Sequence, residues 1–295
     1  MSTPTESSEQ PTETAEPTGT ELETAPTAVG TLSAIIRREL STAVATKTNV
    51  GLWLGFVSVL FAIAWFGGGM QVGYVSTIID LLTPIQLLVP VVAFVFGYRA
   101  ILADDRRGVL DVLRTYPVRP WQMVLGIYAG RAIGLVAIVA TALSMLVYPV
   151  FLTEAHRPVF YATHTGSDSI GLFLRFIVLT AWFALVALAV AVAISALAGT
   201  TRTAIAIVGV ATFGLLFVAD IALVFALSRG LIAESSLASS IAVSPLSAYR
   251  GLVLETTVTV TAGTGPRAAS PLASAIGLVV WWLGSLAVAA VAVGR

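Results

Sequence analysis

The chain has 295 residues, 57% of them hydrophobic and 11% charged, with 16 basic and 16 acidic side chains. Soluble domains carry about 25% charged residues, and the apolar runs here exceed the roughly 20 residues that cross a bilayer, so the chain reads as an all-α integral membrane protein. Zero net charge offers no footprint for nucleic acid, and the absence of cysteine excludes disulfides, thiol catalysis and cysteine metal sites.

Residues 1–30 are rich in Thr, Glu, Pro and Ser and contain no base. Such a segment cannot bury enough apolar surface to offset its ordering entropy, so it reads as a disordered acidic tail ahead of a membrane domain over 31–295. It lacks the basic start and apolar core of a signal peptide. Residues 32–46 follow with Leu32, Ile35, Ile36, Leu40 and Val44 at helical spacing. They predict an amphipathic helix lying on the membrane surface.

Six spans are predicted. The first covers 50–66 and ends at Gly67-Gly68-Gly69, which leave the backbone unrestrained. The second covers 81–103; Pro84 and Pro90 are expected to kink it, since each removes a backbone donor. The third, 121–151, opens on Pro120 and Trp121, suited to a first helical turn and to the interfacial belt. The remaining spans are 170–197, 204–227 and 271–293. Between the last two lies a long segment in which Ser244-Pro245 predicts a capped helix. Leu246, Tyr249, Leu252 and Val253 would line one face of that helix and let it dip into the leaflet.

Six spans place both ends on one side. With the amino end inside, 11 of the 16 bases fall on inner segments. That bias puts the amino and carboxyl ends in the cytoplasm and the chain in the cell membrane.

The charged island between spans two and three carries the most information. Asp104 and Asp105 open a helix where acidic side chains complement the dipole, followed by Arg106, Arg107 and Gly108. Val109, Leu110, Leu113 and Tyr116 then share one side, Arg107, Asp111 and Arg114 the other, and Pro117 stops the helix. An apolar stripe outside the membrane suits a soluble partner better than a bare loop does.

Here the chain resembles the permease subunits of ABC transporters of the second exporter class, most of all the NosY-like group associated with multicopper-enzyme maturation. The likeness rests on Asp105-Arg-Arg-Gly-Val-Leu-Asp-Val-Leu113, Pro117-Val-Arg-Pro120, Leu125-Gly126 and Ser244-Pro245-Leu246. Val109 stands where that family has threonine, and Ile127 where it has lysine. The resemblance implies a cytoplasmic coupling helix carrying Asp104, Asp105, Arg106, Arg107, Gly108, Leu110, Leu113 and Arg114. It also implies a partner ATP-binding subunit that holds the ATP and magnesium, and a second permease copy in the bilayer.

Other candidates are weaker. Asp220, within span five, is a costly carboxylate in hydrocarbon and either lines a transport route or faces a wet cleft. His156 and His164, near Glu154 and Asp168, lack ligand spacing and read as polar surface rather than a metal site. Gly126, Gly130 and Gly134 permit close helix approach, within one subunit or across a dimer seam.

No phosphate loop is present, so this chain is not expected to hydrolyse ATP and needs no cofactor of its own. No Gly-x-Ser-x-Gly turn or His-Glu-x-x-His supports an intramembrane hydrolase. The alternative to an ATP-driven permease is a secondary transporter, whose broken helices and paired membrane charges are not evident.

Overall fold

The computed structural model describes residues 47–108, 119–154, 168–214, 243–259 and 269–294, with the single positions 37, 221, 225, 228 and 229. Helix α1 spans Lys47–Gly67, α2 Gly69–Val72, α3 Tyr74–Gly97, α4 Leu102–Arg106 and α5 Pro120–Glu154. Then come α6 Ile170–Leu197, α7 Thr201–Phe213, α8 Pro245–Val253 with a π-helical continuation Leu254–Val258, and α9 Pro271–Gly294. Among the described residues, five helices are long and apolar enough to cross a membrane. Of the predicted span 204–227, α7 gives the first part. The rest, including Asp220, lies outside the described residues, as does nearly all of the predicted surface helix 32–46.

The five helices are not equivalent. In the most apolar window of α6, 72% of residues are buried inside the protein, against 17% for α1 and 22% for α9. Apart from Arg175 near its start, helix α6 is almost wholly apolar, and α3, α5 and α9 pack around it. Lipid is as apolar as leucine, so helix association here depends on close packing rather than escape from water. The sequence supplies small residues for it: Ala184, Ala187, Ala189, Ala191 and Ala193 are all buried on α6.

Helices α3 and α6 run parallel and share one register. Tyr74 and Val75 lie against Asp168, Gly97 against Ala191, and Ile101 against Ser195. Each pair is separated by 93 or 94 positions in sequence. A residue in α3 therefore sits level with the one about 94 positions later, which places Gln86 beside the level of Thr180. Midway along 28 residues of α6, roughly 20 Å from either end, is the depth of the bilayer centre.

Helix α8 packs inside the bundle against α6 and α9. The Val243 carbonyl, just before it, accepts from Nε1 of Trp281, the eleventh residue of α9. Tyr249 meets Thr180 and stacks on Phe183, with ring centroids 4.5 Å apart. Arg175 then donates to the Thr256 carbonyl, and Glu255 accepts from Ala269 N–H beside the start of α9. The segment thus starts near mid-depth and climbs back to the end of the bundle that holds Asp168. The expected apolar face is right: Leu246, Tyr249, Leu252 and Val253 are all buried.

Three local expectations change. The second span begins at Tyr74, not 81, and its helix continues through both prolines to Gly97 before α4 starts separately. The predicted helix from Asp104 to Tyr116 is interrupted, because α4 ends at Arg106 and Gly108 takes a left-handed φ of 68° that only glycine adopts freely. Ser244 occupies the N-cap position of α8, but its side chain makes no cap hydrogen bond; its carbonyl accepts from Ala248 N–H.

Gly97 marks the tightest approach of α3 to α6. A β-carbon there would collide with the Ala191 β-carbon and crowd Leu188 Cδ1 at 3.3 Å. We predict that Gly97→Val destabilises the detergent-solubilised protein by about 1–3 kcal/mol or more, seen as a lower thermal midpoint and loss of the monodisperse peak. Gly55→Ala on α1, where a β-carbon meets nothing within 4 Å, should leave both unchanged.

Candidate functional site

The basic end of the bundle collects Lys47, Arg99, Arg106, Arg107, Arg119 and Arg202 at the ends of helices and in the turns between them. Here α3 hands over to α4. The backbone N–H groups of Ile101 and Leu102 open α4 and have no acceptor within their own turn. Both donate to Ser195 Oγ, at 3.0 and 3.2 Å. Ser195 is buried, in the last turn of α6. One side chain therefore clips the start of α4 to the carboxyl end of α6.

Two further contacts tie this end together. Arg106 donates to Thr201 Oγ1 at the start of α7. Arg131 of α5 donates to the Phe96 carbonyl, in the last turn of α3, where the helix dipole favours a cation. Ser195 thus joins α4 to α6, and Arg106 joins α4 to α7.

The sequence-predicted coupling residues separate into four groups. Asp105, Arg106 and Arg107 are exposed. Asp104 is not on the free face: it is only 8% exposed, turned inward in the first turn of α4. Gly108 is half-buried and forms the turn. Leu110, Leu113 and Arg114 lie outside the described residues, as do His156 and His164.

The opposite end is held by carboxylates. Asp168 caps α3: Oδ2 accepts from Tyr74 N–H at 2.9 Å and Oδ1 from Val75 N–H at 3.1 Å. A carboxylate there also complements the positive end of a 24-residue helix. Asp80 Oδ2 accepts from Gly69 N–H at 2.8 Å. The three glycines ending α1 serve this contact. A β-carbon on Gly67 would come within 2.7 Å of Asp80 Oδ2, and one on Gly69 within 2.7 Å of the Ser76 carbonyl. Gly68 adopts φ 86°. Thr153 of α5 donates to the Met70 carbonyl at 2.7 Å, so four helices meet at this turn. Among the described residues no group of three metal-ligating side chains comes together, and Asp168 is engaged with backbone instead.

Polar side chains also meet at mid-depth. Trp282 Nε1 donates to Tyr128 Oη at 2.7 Å, and that hydroxyl donates to the Leu185 carbonyl at 3.0 Å, linking α9, α5 and α6. Thr180 and Tyr249 share a 2.8 Å hydrogen bond between hydroxyls. Gly126 and Gly130 are buried within the chain, and Gly134 lines a groove between α1, α3 and α5.

Sequence reading missed Ser195, Asp80, Tyr128 and the capping role of Asp168. Each acts on a backbone or side chain that is remote in sequence, so no local pattern marks it. We predict that Asp168→Ala lowers thermal stability by on the order of 2 kcal/mol, the cost of two unmade charge-assisted hydrogen bonds at a helix start. Asp168→Asn keeps one acceptor and should lose about half as much; equal midpoints for both would remove the cap from the account.

A family model described as "ABC-2 family transporter protein" matches residues 7–295. The chain is 35% identical over 117 residues to "Probable ABC transporter permease protein NosY" of Pseudomonas aeruginosa, covering 36% of this chain and 40% of that one. It is likewise 35% identical over 109 residues to the protein of that name from Stutzerimonas stutzeri, covering 34% and 38%. The chain thus spans about two fifths of the length of the curated relatives it matches. With a family match from residue 7 to the last residue and an all-helical, multi-pass bundle beneath it, this chain belongs to the ABC-2 transporter family.

Proposed function

We propose that the chain is the membrane-spanning permease subunit of an ATP-driven exporter in the cell membrane. A separate cytoplasmic ATP-binding subunit supplies the energy, and two permease copies form the pathway. The family match over residues 7–295 carries this reading, and the names of the relatives agree with it. The chain supplies transport rather than catalysis; ATP and magnesium belong to the partner.

In this reading the bundle has six spans, with 204–227 as the fifth, and the basic end faces the cytoplasm. ATP-driven closure of the partner subunits pushes on the island after α3. The exposed Asp105, Arg106 and Arg107 and the stripe Leu110–Leu113 receive the push, and Ser195 and Thr201 carry it into α6 and α7. Asp220 is placed on the transport route.

The test is a double substitution. A helix in a groove draws its affinity from apolar anchors, and each buried leucine contributes roughly 1.5–3 kcal/mol. Leu110→Asp with Leu113→Asp replaces that gain with two desolvated carboxylates. Membrane levels should stay normal while co-purification of the ATP-binding subunit fails. Arg119→Ala, beyond Pro117, should weaken the complex much less. A double variant that still purifies with its partner and still transports would return the chain to the secondary-transporter alternative.

Orientation has its own measurement, since the chain has no cysteine. Thr115→Cys should react with an impermeant thiol reagent only from the cytoplasm, and Thr165→Cys only from outside. Labelling of position 115 in intact cells would reverse the topology.

A further inference from the structure

A groove of about 210 Å³ lies between α1, α3 and α5 near the basic end of the bundle. Among the described residues its walls are Asn49, Val50 and Trp53 of α1, Phe96 of α3, and Gly134, Ala137 and Ile138 of α5. The polar atoms around it are already engaged. Trp53 Nε1 donates to Thr141 Oγ1 at 2.9 Å, and the Phe96 carbonyl accepts from Arg131. What remains is an apolar slot, open on the α1 side, where Val50 is 53% exposed. Gly134 adds no side chain to its wall.

The slot has a basic mouth built from three helices. Lys47 is three residues before Val50, Arg131 three before Gly134, and Arg99 three after Phe96. Helices α1 and α5 run away from the basic end and α3 runs toward it. Each base therefore sits one turn, about 5 Å, nearer that end than the wall residue it follows. Residues three apart on a helix share a face, so the bases of α1 and α5 lie on the groove side. Lys47 and Arg99 are exposed, and Arg131 is half-buried.

Charge selects the occupant. An acyl tail would lie against the apolar walls, and a phosphate at its head would meet the bases at the interface. Basic pockets between transmembrane helices hold anionic headgroups in this way. We propose that this groove is a binding site for one anionic phospholipid, its acyl chain against Gly134 and Trp53 and its phosphate among Lys47, Arg99 and Arg131. The assignment to the cytoplasmic leaflet rests on the orientation proposed above; the binding itself does not.

The test uses the full-length protein in detergent and in nanodiscs of phosphatidylcholine with or without phosphatidylglycerol. Native mass spectrometry counts retained lipid, and thermal unfolding reads stabilisation. The wild-type protein should retain phosphatidylglycerol in preference to phosphatidylcholine and melt higher in its presence. Lys47→Gln with Arg99→Gln should weaken that preference by roughly thirtyfold, since each base near an anionic headgroup contributes several-fold. Gly134→Leu fills the slot with all three charges intact and should abolish retention while the protein stays monodisperse. Equal retention of the two lipids by the wild-type protein would overturn the proposal. So would a Gly134→Leu protein that still retains phosphatidylglycerol, or one that is destabilised equally in both lipids; the last outcome would assign the groove to another segment of this chain. Both readouts ignore which way the protein faces, so a reversed topology would move the site to the other leaflet without removing it.

Discussion

The parallel pairing of α3 with α6 fixes the rest of the bundle. It is held by three different contacts along the bilayer thickness: the Asp168 cap at one end, the Gly97–Ala191 approach, and the Ser195 clip at the other. A bilayer offers no water to unpaired backbone groups, so the helix ends must find partners within the protein. Here both ends of the α3 stretch are satisfied by side chains flanking or within α6. That locks the two at one register, because a one-residue slip would strand two N–H groups at each end. The other elements then have a fixed wall to pack on: α5 through Tyr128, α8 through Tyr249, and α9 through Trp282.

The aromatic residues at mid-depth combine two roles. Tyr249 buries its ring against Phe183 and spends its hydroxyl on Thr180. Tyr128 both accepts from Trp282 and donates to the Leu185 carbonyl. Van der Waals packing alone would let apolar helices slide past one another, whereas a hydroxyl with a named partner has one productive position. These hydrogen bonds fix where α8 sits along the bundle and which face of α5 turns inward.

The basic end combines two demands. It must keep its charges at the membrane surface, which exposed Lys47, Arg99, Arg106 and Arg107 accomplish. It must also hold the short α4 and the end of α3 against the long helices, which Ser195, Arg106 and Arg131 accomplish. The proposed partner contact and the proposed lipid site use different bases: the first draws on the exposed side of α4, the second on the α1–α3–α5 crevice.

By itself the sequence determined the class, the long helices and the apolar face of α8. These are set by local quantities: apolar run length for α1, α5, α6 and α9, a Ser-Pro start for α8, and the spacing of Leu246, Tyr249, Leu252 and Val253. The island around Asp105–Leu113 also pointed to the family that the whole-chain match establishes. Where local signals competed, sequence reading slipped. Sequence alone starts the second span at 81, but the helix that packs against α6 runs from Tyr74 to Gly97 with both prolines inside it. A periodic stripe suggested one helix from Asp104, but Gly108 in the left-handed region ends it early. Only the tertiary structure decided that Asp168 caps a helix 94 residues away, that Ser195 clips α4, that Asp104 turns inward, and that α1, α3 and α5 leave a groove between them. Each of these depends on which helices become neighbours and at what register, and no short stretch of chain encodes its neighbour.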